Sequence, residues 1–186
     1  MERKEKIILG IDPGTNIMGY GIIKTSGQDF ELISMGSVHL TKITDPYLKL
    51  KKIFERTLAI IDEYHPDEMA IEAQFFGKNV QSMLKLGRAQ GVSIAAGLSR
   101  SLPISEYLPK RVKMAVTGNG NASKEQVAGM LSNMLNYKEV PKHLDASDGL
   151  AVAVCHHLQD GKPASTGKKY SGWASFIKDN PKRKMP

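Results

Sequence analysis

The segment "KIILGIDPGTNIMGYGIIKTSGQDFELISMGSVHL", residues 6–40, contains three runs that are typical of β-strands. They cover residues 6–12, 17–27 and 30–40, and turn-forming residues separate them. Connections this short can join strands only as antiparallel neighbours. The chain is therefore predicted to open with a three-stranded antiparallel meander.

Beyond the meander, strand patterns alternate with helical ones. Strands are predicted at 68–76 and 103–109, and helices at 46–64, 79–99, 109–116, 123–135 and 145–159. The first helix has Asp45 as its N-cap and Pro46 in its first turn. A meander followed by alternating elements predicts an α/β domain with a mixed five-stranded sheet flanked by helices. In such a fold, strand ends and helix starts lie along one edge.

The predicted helix 79–99 is unusually rich in small residues. An interior glycine costs a helix about 1 kcal/mol relative to alanine, so close packing of the helix backbone is expected to compensate. The packing partner could be the sheet or a second subunit. The small residues are Gly87, Ala89, Gly91, Ser93, Ala95, Ala96 and Gly97.

Composition narrows the class of protein. The 186 residues suit one domain, and 41% of them are hydrophobic, as in ordinary globular proteins. No apolar run reaches the ~20 residues that span a bilayer, and "MERKEK" does not resemble the start of a signal peptide. Cys155 is the only cysteine, which excludes an internal disulfide and a thiolate zinc cluster. We expect a cytoplasmic protein with no membrane partner.

Positive charge is concentrated in two regions. Residues 161–186 carry seven Lys or Arg and one aspartate, whereas residues 1–160 have a net charge of +1. The sequence therefore predicts a folded domain at 1–160 and a basic, disordered tail at 161–186. Between 73 and 124 there are eight basic residues and one acid. This second region could follow a phosphate backbone, although dispersed surface lysines would explain it equally well.

Four carboxylates occur at predicted element ends beside apolar runs: Asp12, Glu72, Asp145 and Asp148. Each has an ordinary explanation, as a turn acid, a salt-bridge partner, or a helix cap with a first-turn acid. Together they suggest convergence at one edge of the sheet. Converging carboxylates repel one another, and Mg²⁺ favours such oxygen ligands. Two such ions can promote phosphodiester hydrolysis, so acids beside a basic region indicate a nuclease acting on nucleic acid.

Four successive segments resemble the RuvC family of crossover junction endodeoxyribonucleases. They are "ILGIDPGTNIMGYGII", "AIEAQFFGKNVQSMLKLGRAQGV", "GNGNASKEQV" and "DASDGLAVAV", and their order and spacing also agree with the family. The resemblance covers about residues 6–160. It implies a ribonuclease-H-like fold and a homodimer that makes paired, symmetric nicks in opposed strands of a four-way DNA junction, in recombination and repair.

The resemblance also implies the residues of the site. Asp12, Glu72, Asp145 and Asp148 correspond to the family's catalytic and metal-binding acids, which hold two Mg²⁺ ions, with Mn²⁺ able to substitute. Asp145 is expected to ligate a metal or orient water, and some relatives of the family have histidine at this position. Phe75 corresponds to an aromatic residue that stacks at the crossover, and its neighbour Phe76 is the alternative. The expected DNA contacts are Phe75, Lys78, Lys85, Arg88, Lys113 and Lys124.

The resemblance further implies a branch-migration complex of RuvA and RuvB type proteins as partner. Two other functions remain open. The segment "GIDPGTNIMGYGI" also resembles the first phosphate-binding hairpin of actin-like ATPases, and the chain could be a junction-binding module that does not cut DNA. A structural role is expected for the three histidines near the last helix. They are His143, His156 and His157. Trp173 and Phe176 are assigned to the tail.

Overall fold

The computed structural model describes residues 5–74, 79–137 and 144–159. The strands are β1 (Glu5–Asp12), β2 (Ile17–Ser26), β3 (Asp29–His39), β4 (Glu68–Glu72) and β5 (Ile104–Tyr107). They form one sheet in the order β3-β2-β1-β4-β5. β1, β2 and β3 pair antiparallel, whereas β4 lies parallel between β1 and β5. The predicted meander and mixed five-stranded sheet are confirmed.

The five predicted helices are also present: α1 (Pro46–Tyr64), α2 (Val80–Ser99), α3 (Pro109–Thr117), α4 (Lys124–Leu135) and α5 (Asp145–Gln159). Local signals explain their boundaries. The Asp45 side chain accepts hydrogen bonds from the backbone of Tyr47 and Leu48, both at 2.8 Å, which caps α1. Ser123 and Gln126 form a reciprocal capping box at the start of α4.

Helices cover both faces of the sheet, and strand alternation assigns each side chain to a face. On β1, Leu9 and Ile11 pack in a core with residues of α1 and α2. Ile8 packs in a second core with residues of α3, α4 and α5. Even-numbered positions of β1 therefore face α5, and this parity places the residue that ends the strand, Asp12, on the same side.

The fourth strand is shorter than predicted, because the prediction ran to residue 76 and β4 ends at Glu72. Ala73 still donates a backbone hydrogen bond to Tyr107 at 2.9 Å. Beyond it the sheet offers no partner, since β5 ends at Tyr107 ahead of Pro109. Residues 75–78 and 160–186 lie outside the described residues, so the 160/161 domain boundary stays a prediction. In the part of the chain that the structure describes, every helix is too short or too polar to cross a membrane.

The glycines of α2 divide into two groups. A Cβ on Gly97 would come within 2.8 Å of Ile104 Cδ1 and 3.1 Å of Met69 Sδ, so this glycine allows α2 to pack closely on the sheet. A Cβ on Gly87 or Gly91 would meet nothing within 4 Å. Packing against the sheet therefore accounts for Gly97, and the described residues provide no packing partner for the other two.

Candidate active site

Strand register places Asp12 and Glu72 side by side. Ile11 of β1 pairs with Ile71 of the parallel strand β4, so the two carboxylates follow at adjacent strand ends. Glu72 shares its face with Ala70, which belongs to the core around α5. Both acids therefore lie on the α5 face, at the carboxyl-terminal ends of two central strands. This confirms the predicted convergence for the first pair.

Glycines bring the start of α5 against β2, opposite Asp12. Asp12 pairs across the antiparallel strands with Gly19. A Cβ on Gly19 would lie only 1.9 Å from the backbone oxygen of Asp145. A Cβ on Gly149 would likewise lie 2.5 Å from Cα of Tyr20. The helix and the strand are thus in backbone contact, and the first turn of α5 brings both of its aspartates to the site.

Lys124, the first residue of α4, reaches into this group of acids. Its ammonium group donates a short hydrogen bond to Asp148 and lies 3.6 Å from Oδ1 of Asp145. Burial disfavours the charged ammonium, but the hydrogen bond to Asp148 and the charges of Asp148, Asp12 and Asp145 together raise the pKa of Lys124. Lys124 therefore stays protonated beside the acids, and it is also one of the predicted DNA contacts.

The surroundings make these acids difficult to ionise. Burial, followed by the charges of Asp148 and Asp145, raises the pKa of Asp12 to about 7 despite the opposing effect of Lys124. Burial and the charges of Asp12 and Asp148 raise the pKa of Glu72 to about 8. Burial also raises the pKa of Asp148. The cluster is short of positive charge, which is the electrostatic condition that favours binding of a cation.

The donor set suits a hard divalent cation. It consists of carboxylate oxygens, the ligands that Mg²⁺ and Mn²⁺ prefer, with no thiolate among them. In their present positions, no three carboxylate, imidazole or thiol groups of the described residues form a metal-holding group. The ammonium of Lys124 instead supplies positive charge to Asp145 and Asp148. The chemistry of the side chains fits a metal, and their metal-binding role stays a prediction.

The other predicted DNA contacts lie in different places. The charge of Lys113, on α3, partly opposes the rise in the pKa that burial causes at both Glu72 and Asp148, so this lysine lies near the acids. Lys85 and Arg88 are exposed on α2 and line a separate cavity. Phe75 and Lys78, together with the alternative aromatic residue Phe76, lie outside the described residues.

The histidines that the structure describes have structural partners. His156 is buried, and its ring nitrogens lie 2.8 Å from the Tyr107 hydroxyl and 2.7 Å from Oε2 of Glu68. His157 lies 3.2 Å from the backbone oxygen of Gln28. These contacts agree with the expected structural role. His143 lies outside the described residues.

Sequence reasoning missed the part played by glycine in building the site. The pattern "GYG" at residues 19–21 puts two glycines on the same face of β2. A Cβ on Gly21 would lie 2.3 Å from Cα of Leu150, so this glycine also contacts α5. Alternate glycines inside a strand indicate close approach of another backbone, and that signal was available in the sequence.

Comparisons with known proteins agree with this geometry. The family model described as "Crossover junction endodeoxyribonuclease RuvC" matches residues 8–156. The proteins of that name from Christiangramia forsetii and Bacteroides fragilis are 64% and 62% identical to this chain. Each alignment covers 97% of this chain, with 94% and 96% of the respective relative.

Solved structures give the same result. The structure of "T. thermophilus RuvC in complex with Holliday junction substrate" matches with a TM-score of 0.77 and 30% identity, over 83% of this chain and 94% of that one. The yeast mitochondrial Holliday junction resolvase Ydc2 shares the fold. It is 14% identical and matches with a TM-score of 0.58, over 83% of this chain and 80% of that one. The chain therefore belongs to the RuvC family of crossover junction endodeoxyribonucleases.

Proposed function

We propose that this chain resolves four-way (Holliday) DNA junctions by hydrolysing phosphodiester bonds at Asp12, Glu72, Asp145 and Asp148. Membership of the family makes it a nuclease of recombination and repair. The observation that carries the assignment of the site is the meeting of acids from β1, β4 and α5, two of which have pKa values raised to about 7 and about 8. Strongly perturbed groups of this kind cluster at catalytic sites.

Dependence on a divalent metal follows from the family, and we assign two Mg²⁺ ions per site, replaceable by Mn²⁺. Asp12, at the centre of the cluster, is proposed to serve both ions. Glu72 and Asp148 complete the ligand sets, and Asp145 ligates a metal or orients the attacking water. When bound, the cations lower the pKa of a water and stabilise the leaving oxygen of the cleaved phosphodiester.

The two lysines beside the acids are proposed to hold the substrate. Lys124 and Lys113 supply positive charge at the mouth of the site, where the cleaved strand must bring its phosphate. Lys124 is half exposed, and so it can meet both a phosphate oxygen and Asp148. The expected role of both lysines is to fix the scissile phosphate against the acids.

We further propose a homodimer that uses α2. Large apolar side chains of this helix are exposed: Val80, Leu84 and Leu98 are 62%, 54% and 60% accessible. Gly87 and Gly91 lie between them along the same side and meet nothing within the described chain. Apolar residues around small ones allow two helices to approach closely, and a second copy of α2 would bury this surface. Two copies bring two active sites, as paired nicks require.

The DNA substrate and the protein partners are inferred from relatives of this chain. The T. thermophilus protein was solved with a Holliday junction, which supports junction DNA as the ligand here. A complex with RuvA and RuvB type branch-migration proteins would deliver such junctions. A cytoplasmic location accords with a chromosomal DNA substrate.

The decisive experiment compares a synthetic four-way junction with linear duplex, with and without Mg²⁺. We expect symmetric nicking of the junction only, and only with metal. Asp12→Asn should bind the junction without cutting it. Glu63→Gln, which removes an exposed carboxylate of α1, is the matched control and should cut normally. Normal cutting by Asp12→Asn would refute the assigned site. Junction binding with no nicking under any metal would identify a non-catalytic module.

A further inference from the structure

A cavity of about 570 Å³ lies beside the loop that follows Asp12, between residues of the first turns of α1 and α2. Thr15 and Asn16, which follow Asp12 by only three and four residues in the chain, form one of its walls. Tyr47 from α1 and Ser82 from α2 contribute to the other walls. The cavity is thus adjacent to the acid cluster along one edge of the sheet, and its lining shares no residue with that cluster.

The charges of the cavity are all positive. Lys49 of α1 and Lys85 and Arg88 of α2 line it, and no acidic residue of the described ranges does. Lys49 donates a hydrogen bond to the side-chain oxygen of Asn16 at 3.2 Å. Within the described ranges, neither Lys85 nor Arg88 has a carboxylate at ion-pair distance. Three cations without compensating charge favour an anionic ligand.

Three of the uncharged residues that line the cavity narrow the class of anion. The hydroxyl groups of Thr15 and Ser82 can donate hydrogen bonds to phosphate oxygens. The side chain of Tyr47 lies at the rim and is 73% exposed, although it is large and aromatic. A basic groove with an exposed aromatic ring is the combination that binds nucleic-acid strands, since phosphates meet the cations and a base stacks on the ring.

We propose that this cavity binds the sugar–phosphate backbone of the DNA strand that flanks the cleaved phosphate. Lys49 contacts a phosphate there, and Tyr47 stacks on a neighbouring base. The cavity gives Lys85 and Arg88 a definite site of action and adds two residues, Lys49 and Tyr47, that the sequence did not indicate. This inference rests on the proposed nuclease function, because the strand enters the cavity from the acid cluster.

Binding is measured first, by fluorescence anisotropy of a labelled four-way junction in EDTA, where no cutting occurs. Lys49→Ala should weaken binding about fivefold or more and reduce the slope of log K against log salt by about 1. Tyr47→Ala should weaken binding with little change in that slope. With Mg²⁺, the junction concentration that gives half-maximal nicking should rise for both variants in parallel with their loss of affinity, because both residues are proposed to hold the substrate.

The controls use the same helix. Lys51→Ala removes the same charge from α1 outside the cavity, at an exposed lysine 3.7 Å from Glu55, and should bind junctions normally. Lys49→Arg keeps the charge and should restore affinity and salt slope. Equal losses in Lys49→Ala and Lys51→Ala would overturn the proposal, since they would show only a diffuse charge effect. Full displacement of the labelled junction by inorganic phosphate would assign the cavity to free phosphate instead.

A crosslink locates the strand directly. The native thiol, Cys155, is buried, so Lys49→Cys introduces an accessible one. With junctions whose single phosphates carry a tether activated as a mixed disulfide, the thiolate of Lys49→Cys should displace the small leaving thiol and become linked at positions a few nucleotides from the nick, and Lys51→Cys should not. Crosslinking without any Mg²⁺-dependent nicking would retain the cavity and reject the nuclease function. Mg²⁺-dependent nicking without position-specific crosslinking would retain the nuclease function and reject the cavity as a DNA-binding site.

Discussion

Asp12 is an acid whose ionisation opposes folding. Burial and neighbouring acids raise its pKa to about 7, against about 3.9 in an unfolded chain. Between these values the folded state holds a proton that the unfolded chain has released, so stability is lost as pH rises. In EDTA, the free energy of unfolding should fall from pH 5 to pH 8. Asp12→Asn should stabilise the protein at pH 8 by on the order of 2 kcal/mol and by less at pH 5.

Urea unfolding at both pH values measures this effect. Glu63→Gln serves as the control, because Glu63 is exposed on α1. The free energy of unfolding of this variant should change with pH as that of the wild type does. Adding Mg²⁺ at pH 8 should stabilise the wild type and have less effect on Asp12→Asn, since the variant has lost a proposed ligand. A metal-free protein whose stability does not decrease with pH would contradict the electrostatic description of the site.

Lys124 has two roles that one substitution separates. Its ammonium neutralises Asp148 and Asp145, and it is proposed to hold the scissile phosphate. Lys124→Met should bind Mn²⁺ about threefold or more tightly, because a competing cation has gone, yet nick at least about tenfold more slowly. Calorimetry and single-turnover nicking measure the two quantities, with the exposed Lys52→Met as control. Weaker metal binding by Lys124→Met would exclude competition between lysine and metal.

Part of this site could be predicted from sequence and part could not. Asp12 and Glu72 each end an apolar strand, so their local context marks them as unusual. Asp148 follows Asp145 at a helix start, where capping is an adequate explanation by itself. The bond between Lys124 and Asp148 spans 24 residues. It depends on how α4 packs against α5, and no local pattern encodes that contact.

Among the elements, α5 depends on glycine to reach the site. A Cβ on Gly19 would lie 1.9 Å from the backbone oxygen of Asp145, and a backbone atom cannot move aside as a side chain would. Gly19→Ala should push the start of α5 away from β2, cost about 1–3 kcal/mol of stability and abolish most of the nicking. Thermal unfolding and junction cleavage under conditions where the variant is fully folded test the two effects separately.

Gly129 provides the matched control. It lies in α4, and an added Cβ would meet nothing within 4 Å. Gly129→Ala should therefore stabilise the protein by about 0.5–1 kcal/mol through helix propensity and leave nicking unchanged. Full nicking by a folded Gly19→Ala would show that the acids tolerate a displaced α5, contrary to the geometry described above.

Element types followed from local patterns, whereas their arrangement did not. Strand alternation, Asp45 at the start of α1 and Pro109 at the start of α3 are local signals, and the predicted elements were all found. The position of β4 between β1 and β5 is set by pairing with strands about 60 residues earlier and 35 residues later in the chain. Such pairings depend on the faces that α1, α2 and α5 must bury together, and a periodicity argument does not contain that information.

At the scale of the whole molecule, the exposed apolar side of α2 predicts that the protein forms a homodimer through this helix. Leu84 is 54% exposed, and neighbouring Gly87 and Gly91 meet nothing in the described chain. Leu84→Glu should therefore shift the protein from dimer to monomer in light scattering. Ile33→Glu, at a residue of β3 that is 39% exposed, is the control and should remain dimeric.

The assembly state should determine the product. On a supercoiled plasmid with an extruded cruciform, a dimer places two active sites on one junction and cuts both strands in one encounter, which gives linear DNA. A monomer cuts one strand, and relaxation then removes the cruciform, which leaves nicked circles. Leu84→Glu should thus convert the linear product to nicked circles, whereas Ile33→Glu should keep the linear product. Linear product from a monomeric Leu84→Glu would show that paired nicking does not need α2 as the interface.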